Sequence, residues 1–129
     1  MTRQPKIPDM HSISYLKKEL KKCCKLIILA RDKRCLRCHS TERLQASHIK
    51  SVGAYPNLRF DLDNIIILCW RCHFHWWHKE PTDATKWIKS ILGEDIIDKL
   101  ELRARTRMKR TRADYLSLYW CYKEKLKRG

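Results

Sequence analysis

Four of the seven cysteines fall into two Cys-x-x-Cys pairs, Cys35 with Cys38 and Cys69 with Cys72. A short turn of that spacing points two thiolates at one ion, and two such pairs supply the four ligands of a tetrahedral zinc. A redox dithiol would need one pair only. Between and just after the pairs stand His48, Asn64 and His73. An imidazole that titrates near neutrality can take a proton from an attacking water, which makes His48 the candidate general base. The Asn64 amide is the candidate positioning group. His73 is the candidate ligand for a divalent ion that would neutralise a scissile phosphate. The chemistry this set suits is hydrolysis of a phosphodiester. Cys23, Cys24 and Cys121 have no partner at ligand spacing and read as buried thiols in helices.

These groups need a frame. Residues 44–49 read as a short strand, and 64–68, apolar and β-branched, as a second. The intervening 50–63 is a loop broken by Gly53, Pro56 and Asn57, and 71–79 reads as a helix. A zinc clamp would tie the loop before the first strand to the start of that helix, so that His48 and His73 line one cleft. Lys50 and Arg59 lie in the loop facing the cleft and are candidate phosphate contacts. Outside this centre, a helix begins near Ser12 with Ile13, Leu16, Leu20, Cys24 and Ile27 inward. Lys17, Lys18, Lys21, Lys22 and Lys25 fill much of its remaining face. A further helix spans 81–92 with Trp87, Ile88, Ile91 and Leu92 inward, and Gly93 is its stop. Another spans 94–105. Thr111-x-x-Asp114 resembles a capping box for a last helix that uses Tyr115, Leu118, Tyr122 and Leu126. Trp70, Trp76, Trp77 and Trp87 read as packing residues, and His11 and His39 as surface residues. The expected fold class is α+β, with a basic helical arm at 1–31, a zinc-bound core at 32–80 and a helical region at 81–129.

At His48, Asn64, His73 and the paired cysteines the sequence resembles the HNH endonuclease superfamily. The resemblance covers about a third of the chain, and it is closest to small phage-encoded members of the homing and recombination kind. It implies a ββα-metal core stapled by the four cysteines, with His48 as base, and a catalytic Mg²⁺ or Mn²⁺ besides the structural zinc. Many members carry Asp just before the base histidine, where this chain has Ser47, a poor ligand for a hard ion beside a carboxylate. The ion would then rely on His73, on another histidine, or on Asp61 or Asp63. His75 and His78 are three apart and could share a helix face. His73 and His78 are five apart, about 140° around an ideal helix, which is awkward for chelation. The family pattern still ranks His78 above His75, because members often keep a histidine before the Lys-x-Pro step.

The chain has 129 residues, with 29 Lys and Arg against 14 Asp and Glu, a net charge of +15. That excess favours a polyanionic partner, and the expected one is double-stranded DNA. No apolar stretch is long enough to span a bilayer, and 1–10 lacks the apolar core of a signal peptide, so an intracellular protein is expected, and the resemblance implies a phage-infected host. The expected function is a metal-dependent DNA endonuclease. The alternatives are a non-catalytic zinc-stapled nucleic-acid-binding module and a phage protein that docks on another protein.

Overall fold

The computed structural model describes residues 12–106 and 108–128; the basic lead at 1–10 and His11 lie outside the described residues. The architecture is α+β, five helices around a two-stranded antiparallel sheet. Helix α1 spans Ile13–Asp32, capped by Ser12, whose hydroxyl accepts the Tyr15 N–H at 3.0 Å. It ends where Lys33 turns left-handed, φ 67°. Its buried stripe is Leu16, Leu20, Cys23, Cys24 and Ile28. This is rotated slightly from the expected one, since Ile13 is exposed and Ile27 half-buried.

Strand β1 (Leu44–His48) pairs with β2 (Ile65–Cys69), Leu44 opposite Cys69 and His48 opposite Ile65. All five residues of β2 are buried. Alternate side chains leave a strand on opposite faces, and β2 supplies two cores. Ile65 and Ile67 join Leu16, Leu20, Cys24 and Ile28 of α1, with Phe60 and two tyrosines of the last helix. Ile66 and Leu68 join the cysteines and the third and fourth helices. The outer edge of β2 is covered as well. Asp32 accepts the Ile67 N–H at 3.0 Å, and Arg31 donates to the carbonyls of Ile65 (2.7 Å) and Leu62 (3.1 Å). The Ile67 carbonyl accepts the Leu36 N–H. An open edge is thereby removed from a sheet too small to protect itself.

The loop between the strands contains two 3₁₀ turns, Pro56–Leu58 and Leu62–Asn64. Asn64 closes it. Its amide is fully buried, accepts the Lys50 N–H at 2.7 Å and donates to the carbonyls of Lys50 (3.0 Å) and Leu58 (3.2 Å). Because Asn64 belongs to this turn, β2 starts one residue later than the pattern suggested.

After β2 the chain makes a single α-turn, α2 (Trp70–Cys72), and then a π-type turn, His73–Trp77. The continuous α-helix expected over 71–79 is therefore not formed. The wider turn lets the His73 ring reach Ser47 and the Trp77 indole N–H reach the His48 carbonyl at 3.1 Å. Helix α3 (Pro81–Leu92) and helix α4 (Glu94–Arg105) meet at Gly93, φ 87°, a conformation side chains disfavour. Ile88 of α3 and Ile97 of α4 are buried, whereas Ile91, expected inward, is half exposed. Helix α5 (Arg112–Arg128) starts with a capping box. The Asp114 carboxylate accepts the Thr111 N–H at 2.8 Å, and the Thr111 hydroxyl accepts the Asp114 N–H at 3.2 Å. This helix lies against α1, with Tyr119 and Tyr122 buried and the Tyr122 hydroxyl donating to the Phe60 carbonyl. Cys23 and Cys24 are buried thiols, but Cys121 is exposed. Trp77 and Trp87 each pack against Trp76, while Trp70, expected in the core, is 42% exposed.

Removing the Asn64 amide leaves two carbonyls and one N–H of the loop unsatisfied. Asn64→Ala should cost about 3 kcal/mol in a urea melt, the sum expected for buried groups that lose partners. A loss within a few tenths would show that the loop closes without it.

Candidate functional site

The first cysteine pair sits in a tight turn held by the N–H of Cys35 to the Ser40 carbonyl and of His39 to the Cys35 carbonyl. The second opens α2, where the Cys69 sulfur caps the helix. In each pair the N–H three residues on points at the first sulfur, Cys38 to Cys35 and Cys72 to Cys69, both at 3.5 Å. The four sulfurs lie within 4.8 Å of one another, and Cys38 Sγ is 3.5 Å from Cys69 Sγ. Tetrahedral zinc at about 2.3 Å per sulfur would hold them about 3.8 Å apart, so the cluster fits such an ion with little adjustment. Arg37 reaches across from the first turn, donating to Cys72 Sγ at 3.7 Å while it lies 4.0 Å over the Trp76 ring.

On the same face of β1, Ser47 is fully buried and its hydroxyl contacts His73 Nδ1 at 2.7 Å. His73 Nε2 lies 3.1 Å from His78 Nε2. The π-turn makes this pair: the His78 N–H bonds to the His73 carbonyl, five residues back, and the two rings meet edge-on with centroids 4.5 Å apart. Chelation by these two, awkward on an ideal helix, is thereby feasible. Two nitrogens so spaced would subtend about 95° at an ion about 2.1 Å from each. His75 stays apart, its ring edge-on to Trp70 at 5.0 Å. Asp61 and Asp63, considered as substitute carboxylates, are instead held by Arg103, at 2.8 and 2.9 Å to the first and 3.0 Å to the second. Among the described residues, the four cysteines are the one group of three or more metal-ligating side chains that converge. Imidazoles without a carboxylate suit late transition metals better than Mg²⁺, so the expected catalytic Mg²⁺ has no cage here.

His48 leaves β1 on the other face. Its Nε2 contacts the Arg59 carbonyl at 2.9 Å, an acceptor, so that nitrogen carries the proton and Nδ1 is the free base. The ring lines a cavity of about 350 Å³ with Lys21, Val52 and Arg59, floored by Phe60 and Ile65. The single cleft expected for His48 and His73 is thus divided: no hydrogen bond joins them and this cavity does not include His73. Neither Lys21 nor Arg59 pairs with a described carboxylate. Lys50, by contrast, is 3.6 Å from Glu101 and is partly neutralised. Lys21 was hidden in sequence among the five lysines of α1; only the packing of that helix on β1 distinguishes it.

Burial pushes the His48 pKa below the ordinary imidazole value; the Arg59 carbonyl opposes this, and the charges of Arg59 and Lys21 add to it. Burial, followed by the His78 and His48 charges, likewise lowers His73.

These features define a class: a small, strongly basic α+β protein whose hairpin is joined to the following helix by four convergent cysteines. The family model described as bacteriophage lambda NinG protein matches residues 2–129. The chain belongs to that family, and it is a phage-type protein. No curated protein and no solved structure matches it. The resemblance to the HNH endonuclease superfamily is overturned by this assignment, which spans nearly the whole chain and not its central third. In the structure Asn64 clasps the loop, His48 anchors to the Arg59 carbonyl, and Ser47 contacts His73. The expectation of a homing enzyme falls with it. Among the described residues no helix is long and apolar enough to cross a membrane.

The depressed His48 value has a consequence for stability. As pH falls from the ordinary imidazole range toward the folded value, the unfolded chain takes up a proton on this ring before the folded one does, and stability is lost. His48→Gln should flatten the fall in urea midpoint between about pH 7 and pH 5 relative to the parent. Parallel profiles would show that His48 is not depressed.

Proposed function

We propose that the protein is a zinc-stapled nucleic-acid-binding module that grips duplex DNA by its phosphates inside the infected cell. One observation carries this: the cavity between α1, β1 and the 49–64 loop gathers Lys21, Arg59 and the His48 ring with no carboxylate in its lining. Two unpaired cations beside an imidazole are an unmet positive potential that a phosphate oxygen satisfies. The net charge of +15 supports the same partner. Cys35, Cys38, Cys69 and Cys72 would hold the zinc, which here supplies folding energy and no chemistry.

Affinity for duplex DNA should fall steeply with salt, and Lys21→Ala and Arg59→Ala should each reduce the log–log slope by about one. Binding indifferent to salt would favour a protein partner. Purified protein should contain one zinc per chain, and Cys69→Ser should unfold it. A metal-free native chain whose melting is unaffected by that change would remove zinc from the account.

A second reading, metal-assisted hydrolysis of a phosphodiester, is favoured by the 3.1 Å approach of His73 and His78. The histidine pair would hold a transition-metal ion and its water against the phosphate. Plasmid nicking with Mn²⁺ that EDTA stops and His73→Ala abolishes would establish it. DNA binding without cleavage under every ion would leave the binding module alone.

A further inference from the structure

The surface carries a set of aromatic rings that neither core uses. Trp70 of α2 is 42% exposed and Phe74 of the π-turn 43%, with ring centroids 5.5 Å apart. The His75 ring meets Trp70 at 5.0 Å, and the His78 ring lies 6.0 Å beyond Phe74, tilted 34° to it. None of the four belongs to either hydrophobic cluster. Single exposed apolar residues are ordinary, but a contiguous run of aromatic faces marks a binding surface.

Beside Trp70 a groove of about 560 Å³ runs over the cysteine cluster, lined by Cys38, Cys69 and Cys72, and its charged side chains are Arg37, Arg43 and Arg71 against one carboxylate, Glu42. Arg43 and Arg71 form no ion pair with a described carboxylate. Arg37 is turned to the sulfurs and offsets their charge. The Trp70 backbone is pinned by its N–H to the Arg43 carbonyl at 2.8 Å, so one platform residue and one cation are held together. Flat π faces edged by guanidinium groups match nucleotides whose bases are unpaired: the base stacks and the attached phosphate follows to the arginines. A duplex hides its base faces and offers only edges.

We infer that Trp70 and Phe74 form a stacking platform for the unpaired bases of single-stranded DNA, a site distinct from the Lys21–His48–Arg59 pocket. The inference rests on the nucleic-acid reading above and adds to it a preference for strands that are not paired.

The test uses the full zinc-loaded chain with oligothymidylate and, separately, a blunt duplex. Oligothymidylate should quench tryptophan fluorescence, and Trp70→Phe should remove much of that quench although four other tryptophans remain. Trp70→Ala and Phe74→Ala should each weaken oligothymidylate by about tenfold while duplex affinity stays within about twofold. Phe74 lies in neither core, so its variant retains the fold if the Trp70 variants do not. Losses of equal size on both ligands, or no loss on oligothymidylate, would overturn the platform. So would a parent protein that binds duplex but not oligothymidylate, with the function proposed above left standing. A parent protein that binds neither would overturn both.

Discussion

The convergence of Cys35, Cys38, Cys69 and Cys72 is the constraint on which the rest of this molecule depends. A two-stranded hairpin is marginal in water by itself, and β1 and β2 are five residues each. A zinc held by the cysteines would join the turn before β1 to the start of α2 across a long stretch of chain, and the hairpin could not then open without breaking the cluster. Three of the cysteines, Cys35, Cys69 and Cys72, lie in a core with Ile66, Leu68, Ile88 and Ile97, which ties α3 and α4 to the sheet. On the opposite face α1 and α5 complete the second core, and Arg31 and Asp32 close the edge of β2 from the end of α1.

Two local geometries then decide what the surface can do. The pleat of β1 sends Ser47 and His48 to opposite faces. Ser47 therefore meets His73, while His48 faces Lys21 and Arg59. The π-turn after Cys72 widens the helix by one residue, which brings His78 edge-on to His73 and turns Phe74 outward beside Trp70. The groups that could carry chemistry or bind a partner are distributed over two surfaces, a cationic pocket and an aromatic face. The acidic residues that might have served a hard ion are spent on Arg103.

Much of the scaffold was legible because its signals are local. Apolar periodicity located α1, α3 and α4, the Thr111–Asp114 pair located the start of α5, and Gly93 marked a break. The paired cysteines announced their cluster because Cys-x-x-Cys aims two sulfurs in one direction whatever surrounds it. The family was misjudged for a related reason: His48, Asn64 and His73 occur in an order that another superfamily uses, and order along a chain carries no information about what each ring touches. Ile91 was read as inward from periodicity and is exposed, since the stripe of a helix rotates to suit its neighbours; Cys121 was read as a buried thiol because it has no partner at ligand spacing, which says nothing of its face, and it too is exposed.

The sequence by itself determined the α+β class, the strand pair, the cysteine cluster and the excess of positive charge, all properties of residue type and short spacing. Only the tertiary structure decided that Lys21, out of five similar lysines, faces His48; that Asp61 and Asp63 are taken by Arg103; that Trp70 lies outside the core; and that His73 and His78 meet. Each of these depends on a contact between residues remote in sequence or on a turn one residue wider than the α-helix, and neither leaves a periodic trace in the chain.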